Sequence, residues 1–151
     1  MRLGVLVAAG LLLAGCAPRH QHAPASETAP VQVAVSGFRA ADAADRAGEG
    51  EIYGTLIADA ADTLLRAEVP RAIAARAEFV EPVGGVANDP TLRVLPSVHL
   101  AEHVPLELRP DGLRLALRGL TRPLHEPHTV TLRLRFARGG ERVLEVPVRT
   151  P

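Results

Sequence analysis

Residues 130–148 read VTLRLRFARGGERVLEVPV, and this stretch decides the fold. Leu132, Leu134 and Phe136 alternate with Arg133 and Arg135, so one face of the run is apolar and the other charged, the period of a half-buried β-strand. Arg138-Gly139-Gly140-Glu141 follows, where glycine supplies the positive φ of a tight turn, and residues 143–148 return as a second strand. The pair predicts an antiparallel hairpin.

Outward from this hairpin the texture repeats. Val31, Val33 and Val35 share one face of a strand, and residues 53–58, 64–69, 92–95, 104–108 and 113–117 are further strand runs. Proline, glycine and aspartate punctuate the later ones, with a turn at Arg109-Pro110-Asp111-Gly112 and a flexible loop expected around Gly84-Gly85. Only the alanine-rich segment 71–78, entered from Pro70, suggests a helix, and it reads equally as a loop running into a strand. Many short strands with almost no helix predict an all-β, two-sheet antiparallel sandwich with Greek-key connections.

The amino-terminal segment has a different character. Arg2 precedes an apolar run over 3–13 that ends in Leu12-Leu13-Ala14-Gly15-Cys16, the spacing of a bacterial lipoprotein signal and too short for a membrane-spanning helix. Residues 1–15 are then a leader, Cys16 is the lipidated residue, and 16–30, rich in Pro, Ala, Ser, Thr, His and Gln, form a flexible tether to a domain over 31–149. Cys16 is the only cysteine and Met1 the only methionine, so the lipidated chain retains no free thiol and no methionine thioether. No internal disulfide can form.

Composition excludes several partners. The formal charge is zero, which gives no long-range field for gathering nucleic acid. All 17 basic residues are arginine, a bias that reads as nucleotide composition rather than as a recognition site. Phe38, Tyr53, Phe79 and Phe136 are the only aromatics, so aliphatic packing must supply the core. Ser26, Ser36 and Ser97 lie outside any nucleophile elbow, and Glu51, Asp59 and Asp62 read as solvated residues at turns and loop edges, so no enzyme is expected.

Read in order, Val35-Ser36-Gly37-Phe38-Arg39, Ile52-Tyr53-Gly54-Thr55-Leu56-Ile57, Asp62-Thr63-Leu64 and Ala77-Glu78-Phe79-Val80-Glu81 resemble successive blocks of the PCu(A)C family of periplasmic copper chaperones. The second half is the closer match. Leu106-Glu107-Leu108-Arg109-Pro110-Asp111-Gly112-Leu113-Arg114-Leu115-Ala116-Leu117-Arg118-Gly119-Leu120 is similar to that family's L-x-P-G-G-x-H-x-M-L-x-G-L segment, and Pro123-Leu124, 130–136 and 143–148 resemble its closing strands. The resemblance spans 31–149. It implies a cupredoxin-like, immunoglobulin-like β-sandwich that carries Cu(I) on two histidines and two methionines. In this sequence the first His position falls on Val80, the first Met position on Leu92 or Val94, and the His-x-Met pair on Arg114 and Ala116. None of these side chains ligates copper, and Arg114 places a fixed positive charge where a cation should sit.

The remaining histidines are the alternative. His20 and His22 could hold Cu(II) loosely from the tether, although a polar linker that contains histidine explains them as well. His99 and His103 could share a metal on a helix, but on a strand four residues span about 13 Å, too far for joint ligation. His125 and His128 flank Pro127 in a turn, where solvent exposure accounts for them. The sequence therefore predicts an envelope lipoprotein facing the periplasm, with the outer membrane favoured because Ala17 gives no acidic retention signal. It would carry no cofactor and act on an envelope protein partner; the alternative is a copper chaperone working through its histidines.

Overall fold

The computed structural model describes residues 29–42, 48–86 and 89–150. Ten strands carry these residues: β1 (Val33–Ala41), β2 (Glu49–Ala58), β3 (Asp62–Glu68), β4 (Ala74–Val86), β5 (Asp89–Leu95), β6 (Val98–Leu100), β7 (Leu106–Leu108), β8 (Arg114–Leu120), β9 (Thr129–Phe136) and β10 (Glu141–Arg149). They divide into two halves. One is ordered β5-β4-β8-β2-β1, with β7 also paired to β2; the other is ordered β10-β9-β3-β6. Every pairing within the halves is antiparallel, but Ala40 and Ala41 of β1 run parallel to Val148 and Arg149 of β10 and join the halves. The expected antiparallel arrangement is therefore mixed at this one seam.

The alternation that predicted the last hairpin is the alternation of burial. Val130, Leu132, Leu134 and Phe136 are buried while Arg133 and Arg135 face out. Leu56, Leu115 and Leu117 from the first half meet Leu64, Leu132, Leu134 and Val146 from the second in one fully buried aliphatic core. Of the two readings of the alanine segment the structure takes the second: residues 71–73 form a turn and β4 starts at Ala74, a loop running into a strand and not a helix. Gly84 and Gly85 lie within β4, facing Thr91 and Pro90 across a bulge after Pro82, rather than in a loop. Strand β6 is too short to give a periodic signal, and the strand or turn expected around His99 is a strand over Val98–Leu100.

One buried charge holds the β9–β10 turn. Asp62 is 4 % exposed. Its Oδ1 accepts from the backbone N–H of Thr63 (2.7 Å) and Arg138 (2.9 Å), and its Oδ2 from Gly139 N–H (2.7 Å). A side chain at Gly139 would meet Asp62 Oδ2 and Val33 at 3.0 Å, and Gly140 takes φ +70°, so the glycine pair is required by both space and conformation. The aspartate expected at a solvated edge is instead a buried clamp. Replacing Asp62 with alanine leaves buried N–H donors without an acceptor and should lower stability by about 3 kcal/mol in urea denaturation.

Candidate functional site

Strand β8 presents two faces. Leu115 and Leu117 enter the core, which turns Arg114, Ala116 and Arg118 to the opposite face of the sheet. There Arg114 pairs with Val80 of β4, Ala116 lies between Glu78 of β4 and Glu51 of β2, and Arg118 lies between Arg76 and Glu49. Val80 is in turn the partner of Val94 in β5. Val94, Val80 and Arg114 thus form one row across three strands, with Ala116 one row away along β8 and Leu92 one row away along β5, opposite Pro82.

The charges on this face pair with one another. Arg76 Nε lies 2.8 Å from Glu78 Oε1, Arg118 Nε lies 3.9 Å from Glu78 Oε2, and Arg118 also pairs with Glu49. Arg114 is different in kind, because its side chain is only 7 % exposed and that of its partner Glu51 only 19 %. Arg114 Nε donates to Glu51 Oε1 at 2.8 Å, and its NH1 donates to the carbonyls of Pro110 and Gly112 at 3.3 Å each. The second oxygen of Glu51 accepts from the Tyr53 hydroxyl, and the Arg39 guanidinium lies 5.7 Å from the Tyr53 ring centre. Sequence reasoning placed Glu51 at a solvated turn. It is a strand residue whose carboxylate bridges an arginine and a tyrosine.

The Arg109–Gly112 turn is part of the same arrangement. Strands β7 and β8 both pair with β2, so they form one strand interrupted by this excursion. Arg109 N–H donates to Leu113 O at 2.7 Å and Gly112 N–H to Arg109 O at 3.2 Å, and the Arg114 guanidinium binds the carbonyls of Pro110 and Gly112. Alternating Glu49, Glu51 and Tyr53 opposite alternating Arg114 and Arg118 is the sequence signal for paired faces, but nothing in it marks Arg114 as buried.

Chemically, this row offers no lone pair to a soft cation. Val80, Val94, Leu92 and Ala116 carry no donor atom, and a guanidinium only donates hydrogen bonds. Cys16, His20 and His22 lie outside the described residues. His99 sits exposed on β6 opposite Thr63. His103 takes φ 57°, donates its N–H to Ala58 O and places Nδ1 3.4 Å from Glu102 Oε1. Among the described residues no group of three or more His, Cys, Asp or Glu converges as a metal site.

A family model described as "Putative lipoprotein LpqE-like" matches residues 20–148, from the histidine pair before β1 to the end of β10. The chain belongs to the LpqE-like family. Solved structures of similar shape are the copper-bound PCuAC domain from PmoF2 (TM-score 0.62, 15 % identity, 79 % of this chain and 93 % of that one) and the apo PCuAC domain from PmoF1 (0.62, 19 %, 79 % and 94 %). The apo DR1885 protein of Deinococcus radiodurans in solution is a third (0.59, 24 %, 95 % and 97 %). No curated protein matches the chain significantly. This LpqE-like chain therefore has the PCuAC fold, as the blocks along its sequence imply.

The Arg114–Glu51 pair sets a stability test. Glu51→Ala leaves a buried guanidinium uncompensated and should cost about 3–5 kcal/mol in chemical denaturation. The double variant Glu51→Leu/Arg114→Leu removes both charges and should recover most of that loss.

Proposed function

We propose that this chain is a lipid-anchored module of the cell envelope in which the PCuAC fold is kept while the Cu(I) position has become an internal ion pair. The observation that carries this reading is the Arg114–Glu51 pair beside Val80 and Ala116. A guanidinium held at 2.8 Å by a carboxylate already supplies the positive charge that a cation would bring, and the neighbouring side chains supply no sulfur or imidazole. With no cargo at this row, the domain acts by contact with a partner protein. Strands β5 and β6 stand at the two ends of the strand order, and a sheet end is a surface that an extended segment of a partner can join. The anchor is Cys16, which holds the domain on the periplasmic side.

Purified chain lacking its leader should fail to draw Cu(I) from a chelator of sub-micromolar affinity. Stoichiometric capture would overturn the reading. Uptake of Cu(II) that disappears in His20→Ala/His22→Ala would instead favour a chaperone working through the tether. Restoring the donors with Val80→His, Leu92→Met, Arg114→His and Ala116→Met, together with Glu51→Gln to remove the negative charge that Arg114 had balanced, should create Cu(I) binding where the parent has none. Cys16→Ser should move the protein from the membrane to the soluble fraction, and continued sedimentation with membranes would contradict the anchor.

A further inference from the structure

Strand β5 closes one end of the strand order, and among the described residues its only ladder partner is β4. Its far edge is therefore open. Pro82 has no N–H, so its pairing with Leu92 is not a hydrogen-bonded one, and the ladder bonds run instead between Glu81 and Arg93 and between Phe79 and Leu95. The N–H and C=O of Leu92 and Val94 consequently point away from β4, a row of backbone groups that templates another strand. Pro90 and Pro96, which carry no N–H, bound this row to residues 91–95.

The two faces of the edge differ in chemistry. Leu92 is half-buried and Val94 is 53 % exposed, on the side of the sheet that carries Val80 and Arg114. Arg93 lies on the other side, its side chain 63 % exposed. Its Nε donates to Glu81 Oε1 at 2.9 Å and its NH2 binds the same oxygen, so the protons on NH1 stay free. A guanidinium offers five donors, and a second carboxylate fits the unused side.

A second copy of this chain does not suit the edge. Two-fold pairing of β5 with itself must set outward residues against outward residues, which opposes Arg93 to Arg93, or else Val94 to Pro90 or Leu92 to Pro96. The first repels, and the others lack a donor. At the other end of the strand order, β6 has only three residues, and Glu102 just beyond it bridges Ala58.

We propose that the open edge of β5 receives, antiparallel, an extended segment of a partner protein that carries an acidic residue between two apolar ones. The apolar pair hydrogen-bonds to Leu92 and Val94 and covers the Val94 side chain. The acid stands opposite Arg93 at a non-hydrogen-bonded position, where side chains approach most closely. This inference rests on the contact role proposed above and names its surface and its partner.

The test titrates purified chain lacking its leader with the end-blocked peptides Thr-Thr-Val-Glu-Val-Thr-Thr and Thr-Thr-Val-Lys-Val-Thr-Thr, and follows the amide resonances of the chain. The glutamate peptide should bind saturably, shift the Leu92 and Val94 amides, slow their exchange with solvent and leave those of Val98–Leu100 in place. The lysine peptide should bind at least about tenfold more weakly, and Arg93→Glu should reverse that order. Val94→Pro removes an N–H that the fold does not use, so it should abolish binding while the circular dichroism spectrum stays unchanged. Equal affinity for the two peptides, shifts at β6 in place of β5, or no saturable binding would overturn the proposal. So would self-association of the chain that Val94→Pro abolishes, since the occupant would then be a second copy. Cu(I) uptake is measured on the same chain, and its absence keeps the Arg114 reading intact whichever way the peptides behave.

Discussion

A guanidinium taken out of water must bring its partners with it, and the architecture around Arg114 follows from that requirement. Its Nε is met by Glu51 and its NH1 by two carbonyls of the turn that precedes it, while the far oxygen of Glu51 is met by Tyr53. Removing the carboxylate leaves the buried guanidinium without its counter-charge, which is more costly than never burying it. One side chain therefore fixes the turn between β7 and β8, the register of β8 on β2, and the chemistry of the row it shares with Val80.

The remaining stability comes from plain materials. The core is aliphatic, with leucine and valine from both halves of the sheet, and no disulfide supports it. Polar groups fix the register: within the second half Asp62 gathers three backbone donors at the β9–β10 turn, and between the halves the β1–β10 seam adds Asp42 N–H donating to Arg149 O at 3.0 Å. Packing of branched aliphatics is tolerant of detail, so these directional contacts supply the specificity that apolar burial lacks.

Much of this was legible in the residues. Alternation of leucine with arginine in β9 gave the strand, its inward face and the hairpin, because period two leaves one face for the core. The order of blocks from Val35 to Val148 gave the fold. What stayed hidden was long-range. Nothing near Arg114 in sequence says that Glu51, 63 residues away, will meet it, and the same holds for Asp62 and Gly139, 77 apart. The alanine segment stayed open between helix and a loop running into a strand because alanine's helix propensity is only a local preference, and pairing of Ala74 with Leu120 and of Phe79 with Leu115 decides for the strand. His125 is exposed, as expected of a turn containing proline, whereas His128 is half-buried, which the turn does not announce.

The central claim is the proposal that Arg114, as a fixed charge, fills the position at which the sequence resemblance places a copper ligand. The most direct measurement follows the Nε–H resonance of Arg114 by nuclear magnetic resonance while Cu(I) is added. A slowly exchanging signal that neither shifts nor broadens with one equivalent of the ion is the predicted result. Displacement or loss of that signal as the ion binds would show that the guanidinium gives way, and would contradict the account.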